Sequence, residues 1–133
     1  MRLKDRKILV VDDEKALTGL LGDILRREGA QVEVAEDGAE GFRRAVFGNP
    51  DLVIMDLNMP GVNGLEAIRS LRMNNPRVPI AVLTGYGSEE NFEAAREAGA
   101  DHCIAKPPRL ETLIAGLAAL LDEKLPLKDS KKA

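Results

Sequence analysis

Five short apolar runs, each followed by a segment of helical periodicity, constrain this chain more than any other feature. The first run is Ile8-Leu9-Val10-Val11, and the helix after it carries Leu17, Leu20, Leu21, Ile24 and Leu25 at i, i+3, i+4, i+7 and i+8. Gly29 stops that helix. "AQVEVAE" alternates and predicts a peripheral second strand with Val32 and Val34 on one face. A second helix over about Ala39 to Phe47, with Phe42, Ala45 and Val46 inward, breaks at Gly48-Asn49-Pro50. Leu52-Val53-Ile54-Met55 is the third strand. The helix after Gly64 turns Leu65, Ile68 and Leu71 inward and ends at Asn74-Asn75-Pro76. "PIAVLT" is the fourth strand. Ser88 to Ala98 forms an alanine-rich helix whose only bulky apolar residue is Phe92. "ADHCIA" is the fifth strand, and Leu110, Leu113, Ile114, Leu117, Leu120 and Leu121 mark a last helix that closes before Pro126.

Continuous apolar runs suit strands buried on both faces. Strand–helix alternation with short connections predicts a parallel sheet covered by helices on each side. Right-handed crossovers then leave chiefly the order 2-1-3-4-5, an α/β, flavodoxin-like (βα)5 three-layer sandwich. At 133 residues, 44% hydrophobic and 31% charged, the chain fits one domain with a real core. Residues 1–124 form it, and 125–133 read as a basic tail or the start of a linker. No apolar run reaches the roughly 20 residues that span a bilayer, and the N-terminus lacks the features of a secretory signal. A single cysteine, Cys103, excludes an internal disulfide and fits a reducing cytoplasm. The net charge of −3, with no basic stripe, gives no reason to expect direct nucleic-acid binding.

In sheets of this kind ligands sit at the carboxyl ends of the strands, where strand order reverses. Strand one ends in Asp12-Asp13, strand three in Asp56, strand four in Thr84, and strand five in Lys106 before Pro107. Taken singly, each has an ordinary explanation. Asp13 could cap a helix, Asp56 could be a turn acid ahead of Pro60-Gly61, Thr84 is unremarkable, and Lys106 could lie on the surface. Together they fall at one end of the sheet, and nothing comparable is expected at the other, where "RK", "Q", "PD", "VP" and "AD" begin the strands. Three carboxylates at one rim repel unless a cation intervenes. A hard divalent ion such as Mg²⁺ answers that need, leaving Lys106 and Thr84 to hold the oxygens of a phosphoryl group.

"ILVVDDE", "PDLVIMDLNMPGVNGLE", "PIAVLTGYG" and "AGADHCIAKP" together resemble the receiver domain of bacterial two-component response regulators, over about residues 7–123. The resemblance implies that Asp56 is the phosphoacceptor, served by a sensor histidine kinase or a phosphotransfer protein. It implies that Asp13 and Asp56 ligate Mg²⁺ directly, with the Asn58 main-chain carbonyl as a further ligand and Asp12 acting mostly through water. Lys106 would pair with the phosphoryl oxygens, Thr84 would move toward them, and the Lys106–Pro107 peptide would be cis. Such a module is cytoplasmic and makes no membrane contact. It is no enzyme in its own right, although it promotes its own phosphorylation and dephosphorylation. It would be a monomer or a phosphorylation-dependent dimer, with an unassigned downstream protein partner bound on the face of helix four, strand five and helix five. Both a stand-alone regulator and a receiver within a longer protein stay open.

Three departures bear on that face. Cys103 stands where the family usually has an aromatic residue, and as a small buried residue it removes the usual threonine–aromatic coupling. Tyr86, two residues after Thr84, is the candidate replacement as a gate. His102 is expected to be an exposed strand-end residue, and "KPP" replaces the more frequent Lys-Pro-Phe. Two other functions compete. A metal-dependent aspartyl phosphatase like the haloacid-dehalogenase enzymes needs a second aspartate two residues after the nucleophile, where this chain has Asn58. A phosphorylation-silent scaffold would lack an acid, the threonine or the lysine, and none is missing.

Overall fold

The computed structural model describes residues 2–85 and 88–124. The expected tail or linker start, 125–133, lies outside the described residues, as does Tyr86. The chain runs β1 (Lys7–Val11), α1 (Lys15–Arg27), β2 (Gln31–Ala35), α2 (Gly38–Gly48), β3 (Leu52–Met55), α3 (Gly64–Asn74), β4 (Ile80–Thr84), α4 (Glu89–Ala98), β5 (His102–Ala105) and α5 (Leu110–Lys124). The sheet is parallel in the order β2-β1-β3-β4-β5, as the alternation predicts. Residues of β1, β3 and β4 point alternately into two cores. Ile8, Val10, Leu52, Ile54, Ala81 and Leu83 pack under α1 and α5, and Leu9, Val11, Val53, Met55, Ile80 and Val82 under α3 and α4. Both faces are buried, which is why the strands read as unbroken apolar runs.

Helix faces depart from expectation in particular places. In α1 the buried positions are Thr18, Leu21, Gly22 and Leu25, and Leu20 is half exposed. Phe42, expected inward, is exposed because α2 approaches the sheet through Gly41, where a Cβ would meet the Val11 Cγ1 at 2.7 Å. Leu110 is exposed at the start of α5, while Leu113, Ile114, Leu117, Leu120 and Leu121 are buried. The α4 helix seats only Ala95 and Ala98 fully. Burial of four or five leucine-sized side chains stabilises by about 1.5–3 kcal/mol each, and two alanines provide much less. The α4 helix is therefore lightly anchored, as is α2, which fully buries only Gly41.

The amino-terminal rim of the sheet also differs from expectation. Arg72, in the last turn of α3, donates to the carbonyls of Gly99 (2.7 Å) and Val78 (2.6 Å) and to Asp101 Oδ2 (2.9 Å). Asp101 in turn accepts from the Ile80 N–H at 2.9 Å and pairs with Lys124 at 3.0 Å. Asp51 accepts from the Lys7 N–H at 2.8 Å. The charges at this rim are thus paired and bonded to main chain, tying the ends of α3, α4 and α5 to the sheet.

Candidate functional site

Main-chain bonds carry the ladder one residue past several strand ends and set the site's side chains in place. The Asp12 N–H donates to the Ala35 carbonyl, the Asp56 N–H to the Val11 carbonyl, and the Lys106 N–H to the Thr84 carbonyl, at 2.9–3.1 Å. Asp12, Asp56 and Thr84 are each 5% exposed or less. The segment after Asp56 folds back tightly: a Cβ on Gly64 would collide with the Leu57 carbonyl, so only glycine lets α3 start there.

Oxygens of Asp12, Asp13 and Asp56 lie within 4.8 Å of one another. Lys106 reaches across this cluster, with its ammonium 2.9 Å from Asp12, 3.2 Å from Glu14 and 3.4 Å from Asp56. Burial lowers the lysine's proton affinity, yet the hydrogen bond and charge of Asp12, together with Asp56 and Glu14, outweigh it and push the pKa up to about 12. Burial pushes the Asp12 carboxyl above its ordinary value, against the bonds from the Glu14 N–H and Lys106. The Asp56 Oδ1 accepts from the Asn58 N–H at 3.2 Å, and the Asn58 carboxamide donates to the Thr84 hydroxyl at 3.0 Å. Asp13, Glu14, Asp56, Asn58, Gly85 and Lys106 line a cleft of about 420 Å³.

The structure thus brings Asp12, Asp13, Asp56, Asn58, Thr84 and Lys106 to one rim. It excludes the ordinary explanation of Asp13. The residue at the α1 cap position is Glu14, and its side chain makes no cap bond, whereas Asp37, Asn63 and Ser88 cap α2, α3 and α4 through their side chains. Two contacts escaped the sequence: the carboxylate of Glu14 on Lys106, and the side chain of Asn58 on Thr84. A third acid directly after the Asp12-Asp13 pair was the available signal for the first. The Lys106–Pro107 peptide is cis.

The family described as response regulator receiver domain matches residues 8–118. The chain belongs to that family. The response regulator MprA of Mycobacterium avium is 39% identical over 125 residues, covering 94% of this chain and 55% of the relative. The transcriptional regulatory protein PrrA of Mycobacterium tuberculosis is 39% identical over 115 residues, with 86% and 49% covered. This receiver therefore spans about half the length of the curated relatives it matches. Among solved structures, a CheY-like receiver domain protein from Methanospirillum hungatei superposes with a TM-score of 0.86 at 31% identity, covering 91% of this chain and 97% of that one. The chemotaxis protein CheY4 of Vibrio cholerae gives 0.82 at 32% identity, covering 87% and 98%. The flavodoxin-like fold and the two-component assignment both follow.

Elsewhere in this receiver, His102 is half-buried rather than exposed, with its imidazole against Gly116 of α5, where a Cβ would meet Nε2 at 2.8 Å. Cys103 lies on the opposite face of β5, half-buried beside the α4 core, with its thiol 3.8 Å from the Phe92 carbonyl. Burial pushes that thiol's pKa up, the direction of an unreactive side chain. No helix among the described residues is long and apolar enough to cross a membrane.

Proposed function

We propose that this receiver accepts a phosphoryl group on Asp56 in a Mg²⁺-dependent reaction, from a phosphohistidine on a sensor histidine kinase or phosphotransfer protein. The observation that carries the proposal is a buried carboxylate at a strand end, sharing an acidic cluster with a lysine and linked through Asn58 to a threonine hydroxyl. Oxygen donors clustered within 4.8 Å suit a hard divalent ion. Asp13 and Asp56 would hold it directly, the Asn58 main-chain carbonyl would add a ligand, and Asp12 would act through water. When bound, Mg²⁺ supplies charge neutralisation for the transferring group.

A carboxylate oxygen of Asp56 attacks phosphorus. The P–N bond to the donor imidazole breaks, its electron pair stays on the ring nitrogen, and that nitrogen takes up a proton. The product is an acyl phosphate. Lys106 turns part of its hydrogen bonding from Asp56 to the phosphoryl oxygens. The Thr84 hydroxyl exchanges its Asn58 partner for the same group, and a charge of roughly −1.5 to −2 now sits at the rim. Thr84 ends β4, directly before the connection to α4, and the light anchoring of α4 makes the α4–β5–α5 face the part that yields. That face would bind the downstream protein, as a monomer or in a phosphorylation-dependent dimer.

Incubation with Mg²⁺ and acetyl phosphate, read by intact mass, tests this. The wild type gains one phosphoryl group and Asp56→Asn gains none. An equal adduct on both, or none on either, overturns the assignment.

A further inference from the structure

We propose that Glu14 is a positioning residue for Lys106, holding the lysine at the mouth of the cleft so that it yields Asp12 and Asp56 to a divalent cation and its water. This deepens the function proposed above and rests on it. The Lys106 ammonium has three N–H donors and meets three carboxylates: Asp12, Asp56 and Glu14. Two of these are buried and belong to the acidic cluster, whereas the Glu14 side chain is 58% exposed and stands on the solvent side. Lysine therefore competes with a divalent cation for Asp56 and with the cation's water for Asp12, and Glu14 is the partner that neither claims.

The local structure bears the mark of this use. Glu14 occupies the cap position of α1, where Ser, Thr, Asp or Asn would bond the exposed N–H groups of the first turn. Its carboxylate instead reaches Lys106, 92 residues away in sequence, while its own N–H donates to Asp12 Oδ1 at 3.0 Å. One residue thus orients both the buried acid and the lysine that pairs with it. An exposed ion pair alone stabilises little, so its value lies in where it keeps the ammonium. Without Glu14, the ammonium concentrates on Asp12 and Asp56, and a cation with its water must displace it from both.

Mg²⁺ affinity, measured by calorimetry on the full chain, tests the proposal in two backgrounds. Glu14→Gln weakens Mg²⁺ binding about threefold in the wild type, the scale of one partly exposed ion pair. In a Lys106→Met background, with Lys106→Gln as a second, the same substitution changes nothing, because its effect runs through the lysine. Equal weakening in both backgrounds would make Glu14 a bare charge or a ligand and overturn the proposal, as would no weakening in the wild type. If the wild type binds no Mg²⁺, the function proposed for the rim falls too. If it binds and only the background dependence fails, the role of Glu14 falls alone.

Discussion

At the amino-terminal rim of the sheet, Asp101 is met by Arg72 at 2.9 Å, Lys124 at 3.0 Å and a main-chain N–H. At the carboxyl-terminal rim, Asp12, Glu14 and Asp56 share Lys106, with Asp13 beside them. Both rims are charged, and both lie where strands meet loops. The first balances its charges against each other and against orphan carbonyls, so it is complete as folded. The second gathers four carboxylates around one described cation. Like charges within 4.8 Å of one another repel by at least about 3.5 kcal/mol at an effective dielectric near 20, before Lys106 offsets it. Under the proposed function a bound cation supplies the missing positive charge. On that reading one rim serves stability and the other binding.

The sharpest way to break that contrast is at Arg72. Arg72→Ala removes bonds to Gly99, Val78 and Asp101 and strips a half-buried acid of one partner. It should cost about 2–3 kcal/mol, the range for a partly buried charged network, read as a lower urea midpoint with unchanged slope. Under native conditions the variant should still take up a phosphoryl group from acetyl phosphate. Loss of that reaction in a folded variant would mean the two rims are not separable.

A smaller effect lies in the pH dependence of the binding rim. The Lys106 pKa is raised from 10.5 to about 12, so its pairing contributes fully below pH 10.5 and is lost as pH rises through 12. Screening at the mouth of the cleft reduces the contribution to about 1 kcal/mol. The stability difference between wild type and Lys106→Met should therefore shrink across that window in chemical denaturation. A difference that stays constant to pH 12 would remove the lysine from the acidic cluster.

The binding rim was largely legible in the sequence, and the stabilising rim was not. Asp56 and Thr84 end strands buried on both faces, so their runs end sharply and the parallel topology fixes what lies beside them. Arg72 and Asp101 carry no mark in the sequence, because nothing local shows the last turn of α3 to be the neighbour of a strand that begins 28 residues later. "Asp-Asp-Glu" offered three acids in a row; the start of α1 at Lys15, with Glu14 at its cap, shows that Asp13 is no cap, and the position of Lys106 shows that Glu14 turns to the lysine. Phe42 misled because hydrophobicity suggests burial, whereas α2 sits so close to Val11 that only Gly41 fits the interface. Periodicity reports which residues could face a core, and close approach decides which of them do.

The claim on which the account depends is that carboxylates from β1 and β3 converge on one cation. Thermal unfolding of wild type and Asp13→Asn, each with and without Mg²⁺, tests it most directly, since a ligand bound only to the native state raises its stability. The account predicts a clear magnesium-dependent rise in Tm for the wild type and a smaller one for Asp13→Asn. An equal rise in the two proteins, or none in the wild type, would contradict it.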